Sequence, residues 1–421
     1  MLDFSFTHKL KKMWNPDYLS DPVLLQIAEK LLENNNTVPS SNLDAGMTYF
    51  GQMIAHDIAP HTTPPDHPVR TVSNELLLES LYGQNNSIVN DRFELRPIQW
   101  QGVKGFDVAR DDNGKARIPE HRNDINDIIC QLHAFWQNFH NQLIEAPYHF
   151  DFENAKCHTI LTFQFVTIEY YLKNLLDPHI FEVYFNQQAK PELPFKTEQR
   201  LDYFHNSAFR FGHSMVRNSY ALRRFQPEVP LTSLFASSQK VQDKHVIQWR
   251  RFFGDNQKAN KIDLSLSDAM SKIRFPSDNS EMIRIIFKNI LAGLNKQIPS
   301  GYNIVKKINA QAELNDIFQM TPLEKLSPQF DGIEKLNIQN LPLWTYILQE
   351  AATTQNGERL GKLGSILIAD VLHDAINTKA LSIFKNGTYD KRHALMVLDE
   401  VKDKLLDENN NVDLHKLFNV N

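Results

Sequence analysis

The stretch from residue 124 to residue 145 constrains the fold most, because its apolar residues recur at the spacing of an α-helix. One face of this stretch carries a continuous apolar stripe made of Ile125, Ile128, Ile129, Leu132, Phe135, Trp136, Phe139 and Leu143. A stripe of this width must be covered by other parts of a protein core. The spacing therefore predicts a long and mostly buried helix.

Several other segments show helical spacing of their apolar residues, namely 17–34, 49–58, 158–176, 208–217, 280–294, 343–352 and 360–380. Polar and proline-containing stretches separate them. Residues 85–122 are rich in turn formers, and we expect a connection with a few short strands rather than a part of the core. The pattern predicts a mainly α protein with little β structure. A length of 421 residues is typical of two or three domains, although one large all-helical domain is also possible.

The composition excludes several classes of protein. The chain has 421 residues, of which 42% are hydrophobic and 23% charged, with a formal net charge of -5. This mild acidity argues against nucleic acid or an anionic membrane as the main partner. No apolar run is long enough to predict a membrane span. Two cysteines are too few for a disulfide framework. No secretory signal pattern is present, so we expect a cytoplasmic protein, although export without a leader would leave the same sequence.

Sequence motifs exclude further functions. The glycine-rich nucleotide motifs GxGxxG and GxxxxGK[ST] are absent, as are the hydrolase motif GxSxG and the zinc motif HExxH. Histidines are the remaining candidates for chemistry. His213 lies in the apolar segment AFRFGHSMVR, and Gln52 and His56 stand one helical turn apart in YFGQMIAHDI. A lone histidine of this kind is more often a core residue, but two helices with one histidine each could hold a flat cofactor.

Two more histidines lie seven residues apart on the helix predicted over 124–145. His133 and His140 would therefore share one face of that helix. A metal-binding pair is one interpretation. We favour the other, in which both are core histidines that donate hydrogen bonds to backbone carbonyls.

Four segments in this order resemble the animal-type haem peroxidases of the peroxidase and cyclooxygenase superfamily, in particular their bacterial members. These segments are FGQMIAHD, RNDINDIICQLHAFWQNFHNQL, FRFGHSMVR and FKNILAGLNKQIPSG. The resemblance runs from about residue 40 to residue 380. It implies a haem peroxidase domain over 40–380, with an N-terminal helical extension over 1–39 and a C-terminal helical extension over 381–421 packed on the same domain. It also implies an enzyme that reduces hydrogen peroxide and oxidises a small organic molecule or a halide through a ferryl intermediate.

The resemblance implies roles for individual residues. His213 would be the proximal ligand of the haem iron, with the Asn289 carbonyl accepting from its other ring nitrogen. His56 would be the distal acid and base, and Arg122 and Gln52 would share its cavity. Arg210 matches a residue that contacts a haem propionate in the family.

The sequence also departs from the family at several positions. Covalently attached members carry acidic residues where this chain has Ala55 and Ile125, so we predict haem b that is bound without a covalent link. Ala292 replaces a second propionate-binding arginine. For the calcium site of the family, Asp57 and Glu79 are the two carboxylates that remain, and whether calcium binds stays open.

Two alternatives remain at this stage. Oxygenases and dioxygenases of the same superfamily act on lipids or other apolar molecules, but they use a tyrosine where this chain has Arg210. A haem-binding protein with vestigial activity is the second alternative. The sequence leaves open the physiological substrate, halide oxidation, the use of a tyrosyl radical and the oligomeric state.

Overall fold

Helices dominate the protein, as the sequence predicted. A computed structural model describes residues 21–33, 39–59, 73–84, 86–186, 189–235, 240–254, 257–276 and 282–418. Helices account for 53% of the residues, and the strands are few and short. None of the helices in this described part combines the length and hydropathy that a membrane crossing requires.

The α-helices are, in chain order, α1 (Asp21–Leu32), α2 (Ala45–Ile58), α3 (Glu79–Tyr82), α4 (Asp127–Ile144), α5 (Phe152–Val166), α6 (Lys173–Leu175), α7 (Pro178–Phe185), α8 (Thr197–Asn206), α9 (Asp268–Lys272), α10 (Ile285–Asn295), α11 (Gly301–Asn309), α12 (Ala312–Phe318), α13 (Leu343–Gln355), α14 (Lys362–Ile376), α15 (Lys391–Val397), α16 (Lys402–Leu405) and α17 (Leu414–Leu417). A π-helix spans Thr167–Leu172. Short 3-10 helices span His121–Asp124, Ala208–His213, Leu231–Ser233, Asp243–His245, Trp249–Arg251, Pro328–Phe330, Ile338–Asn340 and Asp399–Val401.

The strands pair in twos wherever the structure describes them. They are β1 (Ser40–Asp44), β2 (Ile88–Val89), β3 (Arg92–Phe93), β4 (Leu95–Trp100), β5 (Val103–Val108), β6 (Ser219–Tyr220), β7 (Val229–Pro230), β8 (Lys258–Asn260), β9 (Arg274–Pro276) and β10 (Met282–Arg284).

Helix α4 is the long buried helix that the apolar stripe predicts. It begins at Asp127 because the side chain of Asn126 accepts hydrogen bonds from the backbone amides of Ile128 and Ile129. The residues just before this cap form the 3-10 helix His121–Asp124. The start of α4 is therefore fixed by an asparagine cap, a few residues later than the apolar spacing alone predicts.

The helix predicted over 158–176 is longer and less regular than its apolar spacing suggests. Helix α5 begins at Phe152, where the Asp151 side chain caps Asn154, and the chain passes through the π-helix before α6. The π-helix lies close to α2, because a β-carbon built at Gly51 would collide with the Tyr171 hydroxyl. Only glycine permits this approach of the two helices.

The interpretation of residues 85–122 as a connection outside the core is wrong. Strands β4 and β5 form an antiparallel hairpin, and Ile98 and Val108 from it are buried together with Cys130 and Ala134 of α4. Alternate residues of a strand point to the same face. The hairpin therefore covers part of α4 even though its turn-rich sequence looks like a loop.

Backbone contacts divide the chain into two compact units, each built from three segments. The first unit comprises the described parts of 1–43, 174–218 and 259–371, and the second those of 44–173, 219–258 and 372–421. In the second unit the C-terminal segment packs through Phe418, whose ring stacks on Phe253 with 4.3 Å between centroids. The boundaries expected at residues 39 and 380 stay predictions.

Candidate functional site

His213 is the last residue of the 3-10 helix Ala208–His213 in the first unit. The sequence predicted a helix over 208–217, and the structure ends it earlier. The carbonyls of Met215 and Val216 instead accept hydrogen bonds from the backbone N–H and the side-chain Nδ2 of Asn260. The indole Nε1 of Trp344, on α13, donates to the Arg210 carbonyl at 3.2 Å. Tertiary hydrogen bonds therefore hold the segment that carries His213.

Asn289 lies on α10 and contacts the ring of His213. Its Nδ2 is 2.9 Å from His213 Nδ1, and its side chain is buried. The sequence interpretation had the Asn289 carbonyl accept from His213, whereas the structure turns the amide nitrogen toward the ring. The two ends of an amide have nearly the same shape and can exchange by rotation. A metal on Nε2 would require a proton on Nδ1 and hence the oxygen facing His213, and this rotation would turn the amide nitrogen toward Arg210 in place of the oxygen.

Arg210 completes this group. Its Nη1 donates to Asn289 Oδ1 at 3.3 Å and its Nε donates to the His205 carbonyl at 3.0 Å. No carboxylate of the described residues forms an ion pair with it. Burial lowers the pKa of Arg210 to about 10, so the guanidinium stays positive at neutral pH. A partly buried cation that pairs with no carboxylate of the described residues suits an anionic ligand group.

The imidazole of His213 is kept neutral. Burial, followed by the positive charge of Arg210, lowers the pKa of His213 to about 3, although the hydrogen bond with Asn289 acts in the opposite direction. Neutral imidazole is the form that binds metals. A β-carbon built on Gly212 would meet no described heavy atom within 4 Å, so there is open space beside this histidine. His213, Asn289 and Arg210 together fit a metal-centred cofactor that carries acidic substituents.

His56 lies in the last turn of α2, in the second unit. Its Nδ1 is 2.7 Å from Oδ1 of Asn123, which belongs to the 3-10 helix His121–Asp124. Gln52 stands one turn earlier on α2 and is partly exposed. The helix thus places Gln52 and His56 on one face, as their spacing predicted.

Arg122 binds the end of α2 as well as a buried carboxylate. Its Nη2 donates to the carbonyls of His56 and Ala59, both at 3.0 Å, and to Glu120 Oε2 at 2.9 Å. Its Nε donates to Glu120 Oε1 at 2.9 Å. A cation is favourable at the carboxyl end of a helix. The sequence placed Arg122 near His56, and the structure adds that Glu120 fixes its guanidinium.

Asp57 and Glu79 were the two candidate calcium ligands. The Asp57 carboxylate is buried and accepts hydrogen bonds from the backbone amides of Leu78 at 2.9 Å and Ser80 at 2.8 Å. These bonds anchor the segment around α3 to α2. Within the described ranges, no group of three or more His, Cys, Asp or Glu side chains could hold a metal ion. The structure thus shows Asp57 as a hydrogen-bond acceptor for backbone amides.

The positions that decide covalent attachment are apolar and accessible. Ala55 and Ile125 are both partly exposed and neither has a carboxyl group. Ala292, on α10, is also partly exposed. An ester to a cofactor cannot form at Ala55 or Ile125.

The sequence interpretation did not find Asn123 and Glu120, and it gave His133 other partners. Asn123 joins two histidines, since its Nδ2 is 3.0 Å from His133 Nδ1. His133 is a buried core histidine as predicted, but this ring nitrogen contacts an amide rather than a backbone carbonyl. The pairing spans ten residues and two elements, so no local periodicity signals it. His140 has different partners, the Tyr82 hydroxyl at 3.0 Å and the Asp91 carbonyl at 3.1 Å.

The chain belongs to the animal haem peroxidase family. The family model for animal haem peroxidase matches residues 106–377, which is more than half of the chain. The match includes Arg122, Arg210, His213 and Asn289, whereas Gln52 and His56 precede it. No curated protein sequence matches the chain.

Solved structures show the same fold. Peroxidase A from Dictyostelium discoideum is similar with a TM-score of 0.59 and 13% identity, over 89% of this chain and 85% of that one. The fatty acid alpha-dioxygenase of Arabidopsis thaliana gives a TM-score of 0.60 at 12% identity, over 89% and 73% of the two chains. That of Oryza sativa gives 0.60 at 12% identity, over 90% and 77%. At this level of identity, the likeness shows a common fold.

Proposed function

We propose that this protein is a haem-dependent peroxidase that reduces hydrogen peroxide and oxidises a small organic molecule or a halide. The observation that carries the proposal is the pairing of His213 with Asn289 beside the guanidinium of Arg210, which pairs with no carboxylate of the described residues. All three residues lie inside the family match. His213 would bind the iron, Asn289 would orient its ring, and Arg210 would bind a propionate.

Haem, when bound, supplies the redox chemistry with hydrogen peroxide. His56 acts first as a base and then as an acid, because it takes the proton from one peroxide oxygen and returns it to the oxygen that leaves as water. Arg122 stabilises negative charge on the leaving oxygen, and its attachment to Glu120 keeps its guanidinium in place. Gln52 contributes a polar side chain on the same face of α2.

The haem is proposed to be haem b held without a covalent bond. Support comes from Ala55 and Ile125, which lack the carboxyl groups that form esters in covalently attached relatives. Acidified organic solvent should therefore extract the haem completely. Haem that stays with the polypeptide would contradict this part of the proposal.

The alternative of a lipid dioxygenase shares the fold, since fatty acid alpha-dioxygenases are among the similar structures. We favour the peroxidase because Arg210 occupies the position of the tyrosine that such dioxygenases use, and because an acid–base histidine serves peroxide cleavage.

Rapid mixing of the haem-loaded protein with peroxide tests the proposal. The Soret band should change on mixing and return when a phenol or iodide is added. His56→Leu should slow the first change by about 10²- to 10⁴-fold. His179→Gln, at an exposed histidine on α7, is the control and should react like the wild type. A protein that ignores peroxide but takes up oxygen with a fatty acid would contradict the peroxidase and favour the dioxygenase.

A further inference from the structure

One amide group bridges two buried histidines in the second unit. Asn123 Oδ1 is 2.7 Å from His56 Nδ1, and Asn123 Nδ2 is 3.0 Å from His133 Nδ1. Asn123 and His133 are fully buried, and His56 is nearly so. The three side chains come from α2, from the 3-10 helix His121–Asp124 and from α4.

The chemistry of an amide makes the two imidazoles unequal. Its oxygen only accepts hydrogen bonds and its nitrogen only donates them. The Nδ1 atom that faces the oxygen must carry a proton, and the Nδ1 atom that faces the nitrogen must carry a lone pair. A neutral His56 therefore has its proton on Nδ1 and its lone pair on Nε2, whereas a neutral His133 has the opposite tautomer.

This direction of the amide requires that His133 is not protonated. A protonated His133 would direct a second N–H group at the amide nitrogen of Asn123 and force it to rotate. Burial lowers the pKa of His133 to about 3, although the negative charge of Glu120 acts in the opposite direction. The ring thus stays neutral near neutral pH. Its Nε2 finds no hydrogen-bond partner among the described residues, so within this part of the chain Asn123 alone bonds to the ring.

The backbone around Asn123 is fixed as well. The backbone N–H of Asn123 donates to the backbone carbonyl of Glu120 at 2.9 Å. The neighbouring Arg122 binds both the Glu120 carboxylate and the carbonyl of His56. The same short segment therefore holds the end of α2 and the ring of His56, which gives the hydrogen bond a defined geometry.

We propose that Asn123 is a positioning residue that sets the tautomer and ring orientation of His56, and that His133 fixes the direction of the Asn123 amide. The catalytic part of this inference rests on the proposed peroxidase function, in which His56 Nε2 must accept a proton. A base whose lone pair sits on the wrong nitrogen cannot do so, and the wrong tautomer of a catalytic histidine is known to reduce rates strongly.

Nitrogen NMR of histidine-labelled protein tests the tautomers directly. The protein is reduced and saturated with carbon monoxide if it carries haem, and His56→Gln identifies the signals of His56. In the wild type we expect a protonated Nδ1 and an unprotonated Nε2 on His56, and the reverse on His133. Asn123→Leu should give a mixture of tautomers on His56. A His56 protonated on Nε2 in the wild type, or unchanged in Asn123→Leu, would overturn the proposal.

Two further variants separate positioning from structural damage. Asn123→Asp still accepts from His56 Nδ1 and should keep that tautomer, while the proton of His133 moves to Nδ1. Gln137→Leu removes another buried polar side chain from α4, one whose amide bonds to none of the described residues, and should leave both tautomers unchanged. A shift of the His56 tautomer in Gln137→Leu would contradict the assigned role of Asn123.

The rate of the Soret change with peroxide gives the second readout. Asn123→Leu should lower this rate by about 10- to 100-fold, the usual effect of losing an orienting partner. Asn123→Asp should stay within about tenfold of the wild type and Gln137→Leu should equal it. An Asn123→Leu rate within twofold of the wild type would overturn the catalytic part. A wild type that does not react with peroxide would instead contradict the proposed function, and the NMR result would still decide the tautomers.

Discussion

In the proposed site, the hydrogen bond between Asn289 and His213 would control both the orientation of the imidazole and its electron density. Asn289→Leu removes this partner at nearly constant volume, and we expect haem affinity to fall by about 10- to 100-fold. Asn289→Asp should retain haem and make its reduction potential more negative, because a carboxylate makes the imidazole a stronger electron donor. Haem titration followed at the Soret band and a potentiometric titration measure the two effects.

Asn309→Leu is the matched control, since Asn309 is an asparagine of the first unit whose Nδ2 donates to the Met320 carbonyl. It should bind haem like the wild type. Unchanged affinity in Asn289→Leu would show that the Asn289 contact does not orient an iron ligand.

Pairs of residues such as these cannot be read from local patterns. His213 and Asn289 are 76 positions apart, and in the sequence only the resemblance to a known family joins them. Asn123 carried no such signal, because a buried asparagine before a helix is read as a cap or a turn residue. The direction of its two hydrogen bonds depends on the tertiary packing of three elements.

At the scale of elements, a buried ion cluster ties the β4–β5 hairpin to the segment that carries Arg122 and Asn123. Arg110 donates to Asp107 at 3.1 Å and to Asp124 at 2.7 Å, and all three side chains are largely buried. Arg110→Met should lower the free energy of unfolding by about 3–5 kcal/mol, because the buried Asp124 would lose this cation and Asp107 would keep only its pairing with Arg96. Chemical denaturation measures this loss.

An exposed arginine of the same region provides the comparison. Arg117 pairs with Glu94, and both side chains are more than one third accessible. Arg117→Met should therefore cost less than about 1 kcal/mol. Equal losses of unfolding free energy in Arg110→Met and Arg117→Met would mean that the buried cluster stabilises the fold no more than an exposed ion pair does.

Glu350 links α13 to the start of α14 and should make stability depend on pH. Its carboxylate accepts from the amides of Leu363 at 3.0 Å and Gly364 at 3.1 Å. Burial raises the pKa of Glu350 from 4.5 to about 7, even though these hydrogen bonds oppose the rise. A raised pKa means that the folded state binds the proton more tightly than the unfolded state. The contribution of Glu350 to the free energy of unfolding is therefore complete below the pKa of the unfolded state. It disappears as the pH rises through the folded-state pKa of about 7.

Glu350→Gln removes this titration. Relative to the variant, the wild type should lose up to about 3 kcal/mol of unfolding free energy between pH 4.5 and pH 8, at about 1.4 kcal/mol per pKa unit. Denaturation curves at several pH values measure the difference, and Glu313→Gln, at an exposed position of α12, should run parallel to the wild type. If the unfolding free energy of Glu350→Gln changed with pH in parallel with that of the wild type, the raised pKa assigned to Glu350 would be contradicted.

The existence of most helices follows from apolar spacing, but their ends and irregularities do not. The ends depend on caps such as Asn126, and the π-helix depends on packing against Gly51. The sequence does not identify the β4–β5 hairpin as part of the core, because turn residues dominate it. The few apolar residues that face α4 are hard to recognise without that helix.

At the scale of the whole molecule, each of the two units combines three distant stretches of chain. Local periodicity identifies elements, but it contains no information about which distant elements assemble together. The spacing predicted a mainly α protein, but the family resemblance supplied the arrangement of its helices for this reason, and the common fold with Peroxidase A at 13% identity shows how little sequence the architecture requires.

Haem should stabilise the folded protein as a whole. A ligand that binds only the native state adds about 2.7 kcal/mol when its free concentration is one hundred times its dissociation constant. We expect this gain with haem and a smaller gain with iron-free protoporphyrin, which cannot bind His213 through iron. Thermal or chemical unfolding at fixed ligand concentration measures both. An equal gain from the two porphyrins would argue against an iron ligand.

The central claim is that the neutral imidazole of His213 binds the iron of a haem. Resonance Raman spectroscopy of the reduced, haem-loaded protein tests it most directly through the iron–histidine stretching band. We predict that the wild type shows this band, that His213→Gly lacks it, and that added imidazole restores it. A band that persists unchanged in His213→Gly without imidazole would contradict the claim.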